Sequence, residues 1–319
     1  MIKHIFILNP VAGKGALQVG LAESIAQACT QRGADYEIFK TGARGEATEY
    51  VRALCKQNPD ASLRFYACGG DGTLSEVVNG AYGYANASVG VVPVGTGNDF
   101  VRNFAAKEKF LDIGAQLDGE TQKFDLLRYN GQLCVNMINI GFDCEVVKLT
   151  AKLKKKKLLS ADFGYIAGLV LTLILKPGVK AQVSVDGGAP ERRNMLLTSV
   201  ANGSWCGGGF YSSPLALLSD GVLDVLMIKN VSRVRFLSLV GAYKSGSFVS
   251  NPKARRVIDY VKCHRVSYAF NGMQSVCVDG EVTEAKDLEI EAVTDALCLI
   301  VPKGASYAPA AEPMPVGMC

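Results

Sequence analysis

The 319-residue chain carries the stretch CGGDGTLSEVVNG at 68–80, where an aspartate sits among glycines just ahead of a helix-like segment. Gly69, Gly70 and Gly72 have no side chains to hold backbone N–H groups away from an anion, so the turn suits phosphate. Asp71 has no place beside phosphate without a cation, which points to Mg2+. A structural alternative is a strand-to-helix turn in which Thr73 is the N-cap and Glu76 completes a capping box. Capping and phosphate binding can coexist. Near the other end, VDGEV at 278–282 is by local chemistry an acidic hairpin turn, with Asp279 and Gly280 as its central pair.

These residues need elements that bring them together. HIFIL, YEIF, LRFYA and SVGVV read as buried strands, with helical patterns between them at Leu17, Leu21, Ile25 and Ala28 (stopped by Gly33) and in EATEYVRALCKQ. Strands alternating with helices make a parallel sheet. The strands are followed by NPVAGKG, TGARGEA, GGDGT and VGTGNDF, so four turns gather at the carboxyl edge where such sheets bind ligands. Beyond residue 125 the turn signals YNGQ, VDGG and FNGM punctuate β-rich runs, with helical patterns near 145–176 and 231–243. That half reads as a mainly antiparallel β-sandwich. The expected fold class is thus α/β, with an N-terminal parallel-sheet nucleotide-binding domain over 1–125 and a β-sandwich domain over 126–305. The last strand of the sandwich is expected to return to the first domain, and a proline-bearing tail over 306–319 to be disordered.

The ordered set NPVAGKG, GGDGTLSEVVNG, VVPVGTGNDF, GGGFYSSPLALLSDGVLDV and VDGE resembles the bacterial diacylglycerol kinase-like lipid kinases from Asn9 to Glu281. GGDGT alone is shared with NAD kinases and phosphofructokinases; GTGNDF and DGE make the resemblance specific. The resemblance implies ATP as phosphoryl donor, Mg2+, a lipid-binding sandwich and a site between the domains. It assigns Asn9, Gly13, Thr41, Gly69, Gly70, Asp71, Gly72, Thr73 and Thr96 to the nucleotide, Asp71 and Glu281 to catalysis, and Glu281 to the general-base role. It also implies a structural Mg2+ held by Asp220 with the carbonyls of Leu217 and Val222. Asp99 and Asp125 match acidic positions of a cation network, while Asn98 and Asp99 read equally well as helix caps. NPVAGKG lacks the GK[ST] ending of a P-loop, and Lys14 is divided between nucleotide contact and a solvated lysine.

A formal net charge of +4 argues against nucleic acid as a partner. The ten cysteines are scattered without metal spacing and imply reduced thiols, and MIKHIFILNP is too short in apolar length for a signal core, so a cytoplasmic protein is expected. FGYIAGLVLTLIL reads as a buried helix, being shorter than a bilayer span. KLKKKKLL at 152–159 has the form that attracts anionic membrane surfaces, although charge runs are commonly solvated faces. Taken together, the expected partners are ATP, a membrane lipid and an anionic membrane surface met peripherally, with a homodimer left open. Transfer to diacylglycerol, giving phosphatidic acid, is the leading expectation; a soluble acceptor such as NAD, or binding without turnover, are the alternatives.

Overall fold

The computed structural model describes residues 2–13, 20–142, 144, 145, 148 and 178–309. Lys14, the run at 152–159 and the apolar run at 163–175 lie outside these residues. Strands β1 (Ile2–Leu8), β2 (Asp35–Lys40), β3 (Ser62–Gly69) and β4 (Ala87–Pro93) pair in parallel in the order β2-β1-β3-β4. Helices α1 (Leu21–Arg32), α2 (Glu46–Gln57) and α3 (Asp71–Ala81) connect them. Alternation along the strands separates two cores, as a period of two requires. Ile5, Ile7 and Phe65 pack with Val51 of α2 and Leu74 and Val77 of α3, whereas Phe6, Leu8 and Tyr66 face Ile25 of α1 and Ile113 of α4 (Ile113–Leu117). With both faces covered, β1 can be a continuous apolar run. Gly33 ends α1 in the left-handed region, as its sequence position predicts.

The chain then passes through β5 (Phe104–Ala105) into β6 (Glu120–Tyr129), β7 (Gln132–Cys134), β8 (Met137–Gly141), β9 (Val179–Val185), β10 (Glu191–Ala201) and β11 (Leu223–Lys229). Helices α5 (Arg233–Ser245) and α6 (Pro252–Arg255) precede β12 (Ile258–Cys263), β13 (Arg265–Val278), β14 (Glu281–Val301) and β15 (Ser306–Tyr307). The second half is antiparallel and closes on itself: β10 pairs with both β8 and β9, and β13 pairs with both of them again. Ile138, Val200, Val225, Tyr268 and Ile290 fill the space enclosed.

The 21-residue β14 couples the halves. It starts at Glu281 beside β13, runs antiparallel to β6, and pairs in parallel with β4 at Leu299 and Val89. Two sequence readings need correction. FNGM is no turn but part of β13, where the register with β14 shifts between Ala269 and Gln274. Order also continues past residue 305: Ser306 and Tyr307 pair with β5, and the Tyr307 ring packs on Phe104 and Phe124. A large aromatic in a formed core outweighs the disordering effect of nearby prolines. Among the described residues, no helix is long and apolar enough to cross a membrane.

Candidate active site

Beyond the carboxyl ends of the parallel strands, the four glycine-bearing loops touch. The Asn9 N–H donates to the Cys68 carbonyl at 3.1 Å, and Asn9 Nδ2 donates to Thr73 Oγ1 at 3.1 Å. Gly13 has φ 58°, and a Cβ there would lie 2.0 Å from the Val94 carbonyl oxygen. A Cβ on Gly95 would meet the Gly70 Cα at 2.3 Å, so the third and fourth loops pack backbone on backbone. Thr41 donates both its N–H (2.9 Å) and its hydroxyl (3.3 Å) to the Leu8 carbonyl, and Thr96 is exposed.

The capping box that is the structural alternative does not form. Helix α3 starts at Asp71 with Gly70 as its N-cap, and Thr73 is buried with its hydroxyl accepting from Asn9. Glu76 instead reaches the loop before α2, accepting from the Gly45 N–H at 2.9 Å through Oε1. Side chains that could have capped α3 tie it to neighbouring loops.

Asp71 lies in the first turn of α3, where the helix dipole favours an anion. Its carboxylate accepts from the N–H groups of Asp99 and Phe100, each at 3.2 Å. Asp99 Oδ2 accepts from the Gly208 N–H at 2.8 Å and Oδ1 stands 3.2 Å from Arg102 Nε. The two carboxylates flank Gly97, whose Cβ position is 3.2 Å from Asp71 Oδ2 and 3.7 Å from Asp99 Oδ2. Burial raises the pKa of both acids; backbone N–H groups oppose this at each, while the neighbouring Asp71 raises Asp99 further. Asp99 is buried against the Arg102 guanidinium with its Oδ1 taking no hydrogen bond, and together with the half-buried Asp71 it offers hard oxygen donors of the kind that suit Mg2+. Of the two sequence readings of Asp99, capping has no support, since its side chain makes no cap hydrogen bond.

Glu281 enters from the second domain. Asp279 (φ 46°) and Gly280 (φ 87°) form the hairpin pair, with Val278 opposite Glu281. Gly280 is exposed, but the acid of the turn is not. Asp279 is 7% exposed and its carboxylate accepts from the N–H groups of Val135 (2.8 Å), Asn136 (2.9 Å) and Met137 (3.2 Å). Asp279 is the positioning residue that sequence reading missed, because its partners lie some 140 residues upstream. The Glu281 carboxylate therefore has a fixed place beside α3, with Oε1 3.4 Å from the Cβ position of Gly72 and Oε2 accepting from Arg44. Burial raises its pKa, Arg44 pulls it down, and Glu76 and Asp279 add to the rise.

The expected metal loop is built differently. Leu217 and Val222 are buried there, but Asp220 Oδ1 accepts from the Val222 N–H at 3.3 Å and Oδ2 from Lys262 Nζ at 2.9 Å. Lys262, 2% exposed, also meets Asp224 at 3.0 Å, its direct partner across β11 and β12. Burial works against the lysine charge, but Asp224 and Asp220 outweigh it and hold its pKa above the usual value. Lys262 stands between Asp220 and Asp224 and supplies positive charge at the place where the resemblance implies Mg2+. Asp125 braces this loop and not the Asp71 cluster, accepting from Gly221 N–H (2.8 Å) and Asp295 N–H (2.9 Å). Lys262→Met should lower stability by about 3–5 kcal/mol, because Asp224 would remain buried without its counter-charge, keeping only the hydrogen bond from the Tyr260 hydroxyl. Chelation with EDTA should leave the wild-type Tm unchanged. A Tm drop on chelation that Asp220→Ala abolishes would restore metal to the loop.

The diacylglycerol kinase catalytic domain model matches residues 3–129, and the YegS C-terminal NAD kinase beta sandwich-like domain model matches 136–301. A diacylglycerol kinase of Bacillus subtilis (strain 168) is 27% identical over 281 residues, covering 86% of this chain and 88% of the relative. One of Mycobacterium tuberculosis (strain H37Rv) is 28% identical over 309 residues, covering 93% and 94%. A crystal structure of a diacylglycerol kinase from Bacillus anthracis str. Sterne shares the fold at TM-score 0.66 and 21% identity, covering 97% of each chain. The two domain models meet in the same order as the phosphate-type loops and the hairpin that presents Glu281 to them, and the chain belongs to the diacylglycerol kinase-like lipid kinase family.

Proposed function

We propose that the protein transfers the γ-phosphate of ATP to the free hydroxyl of diacylglycerol, yielding phosphatidic acid at a membrane surface. The observation that carries this is the approach of Glu281, from the second domain, to the first turn of α3, where Asp71 and the glycine loops converge. Asn9, Gly13, Thr41, Gly69, Gly70, Gly72, Thr73 and Thr96 are assigned to the nucleotide edge. There, backbone N–H groups and short side chains hold the phosphates in line. Asp71 and Asp99 would hold Mg2+, which when bound neutralises charge on the transferring phosphoryl group. Glu281 orients the acceptor hydroxyl and takes its proton as the bond to phosphorus forms and that to ADP breaks, while Arg44 favours the ionised carboxylate against the effect of burial.

Diacylglycerol as acceptor is supported by the names of the Bacillus subtilis and Mycobacterium tuberculosis relatives. NAD is the second reading, supported by the NAD kinase-like description of the matched β-sandwich. The deciding experiment incubates the enzyme and γ-labelled ATP with diacylglycerol, ceramide, a sphingoid base, a polyprenol or NAD, lipids being presented in mixed micelles. Label in phosphatidic acid is expected. Preferential labelling of another acceptor would replace the diacylglycerol assignment.

A further inference from the structure

We propose that the face formed by α5 and α6 is a docking surface for anionic membrane lipid. The inference rests on the lipid-kinase function above and adds where the molecule meets its substrate's bilayer. Lys229–Ile258 contains seven Lys or Arg residues and no Asp or Glu, against a net charge of +4 for the whole chain. The remainder of the chain therefore sums to −3, and this segment is one of two places where positive charge gathers, the other being the run at 152–159.

The segment is also apolar on its outside. Phe236, Leu239 and Tyr243 turn inward onto Leu226 and Phe142. On the opposite side, Val234 is 79% exposed and Leu237 is 54% exposed, one helical turn apart. A helix apolar both inward and outward has a second partner to meet, and basic residues around its outer stripe select an anionic lipid surface. Arg235 Nη2 donates to the Lys253 carbonyl at 2.7 Å, joining α5 to α6, and the side chains of Lys253, Arg255 and Arg256 are exposed. Beside them opens a cavity of about 640 Å³ with Phe248, Val249 and Ile258 in its walls and Lys229 and Arg255 among its cations. Its acid, Asp259, is engaged by Arg193 at 3.1 Å and Lys229 at 3.3 Å.

This face is tied to the active site. The Tyr211 N–H donates to the Lys244 carbonyl near the end of α5 at 2.9 Å, and in the same loop Gly208 N–H holds Asp99 at 2.8 Å. A bilayer bound against α5 would lie next to the loop that braces the proposed catalytic carboxylates.

The test measures sedimentation with phosphatidylglycerol/phosphatidylcholine vesicles and turnover of a water-soluble short-chain diacylglycerol. Two variants are compared with wild type: Lys253→Gln/Arg255→Gln/Arg256→Gln and Val234→Ser/Leu237→Ser. Each basic residue near the surface is worth roughly fivefold in binding, so the triple variant should bind about 10²-fold more weakly. The serine pair should also bind more weakly, and both should retain wild-type turnover of the soluble substrate. Wild-type-like vesicle binding by either variant, or no binding by wild type, overturns the docking surface. Loss of binding only on Lys154–Lys157→Gln would move docking to that run. Absence of soluble-substrate turnover in wild type would instead count against the lipid-kinase function itself. Weakening by the charge change but not by the serine pair would identify a purely electrostatic anion surface, nucleic acid included, and overturn membrane docking.

Discussion

Glu281→Gln is expected to lower kcat by about 10²- to 10⁴-fold while leaving ATP affinity near its wild-type value, because the amide keeps the shape of the side chain and loses its basicity. The hairpin should survive, since it is set by Asp279 and Gly280 and not by Glu281. The pH dependence gives a separate readout. Glu281 acts only when ionised, and burial raises its pKa, so kcat/KM should fall on the acid side at a pH above the ordinary carboxylate range. Arg44 opposes that rise, so Arg44→Gln should move the acid limb to higher pH. A variant whose acid limb stays in place would show that Arg44 does not tune the base, and an unchanged kcat in Glu281→Gln would remove Glu281 from proton transfer.

Asp71→Asn is expected to remove turnover almost completely and leave the fold intact. The asparagine oxygen can still accept one of the two N–H groups from Asp99 and Phe100, which preserves part of the tie between loops. The second carboxylate oxygen becomes an amide group facing an N–H donor, and one of the two neighbouring carboxylates is lost. Catalytic cation sites contribute several kcal/mol to transition-state stability, and about 4 kcal/mol corresponds to about 10³-fold in rate. Because burial raises the Asp71 pKa, ionised Asp71 costs stability, fully relieved only below its unfolded pKa and felt increasingly as pH rises through the folded one. The neutral variant lacks that cost, so its Tm at neutral pH should match or approach wild type. Near-normal kcat in a folded Asp71→Asn protein would contradict the assignment of this carboxylate.

Local pattern was enough to place β1 to β4, α2 residue for residue and the stop of α1, because these elements rest on apolar periodicity and terminal glycines within a few residues. The gathering of glycine loops was legible for the same reason, since strand direction in a parallel sheet sends them to one edge. What local pattern could not carry was pairing across long separations. Asp279 looks like an exposed turn acid until residues 134–137 fold over it. Lys262 looks like one lysine in a strand until β12 pairs with β11 and sets it opposite Asp224. Thr73 and Glu76 have the spacing of a capping box, yet tertiary partners at Asn9 and Gly45 claim both side chains. The closure of β8, β9, β10 and β13 into one ring is likewise a property of register, which turn signals alone do not specify.

The most direct measurement is a single turnover with enzyme in excess over γ-labelled ATP and diacylglycerol in mixed micelles, followed by extraction into organic solvent. Wild-type enzyme should move the label from ATP into extractable phosphatidic acid, and both Asp71→Asn and Glu281→Gln should leave it on ATP over the same interval. Transfer by the two variants at the wild-type rate, or wild-type label appearing only in water-soluble product, would contradict a lipid kinase site built from these two carboxylates.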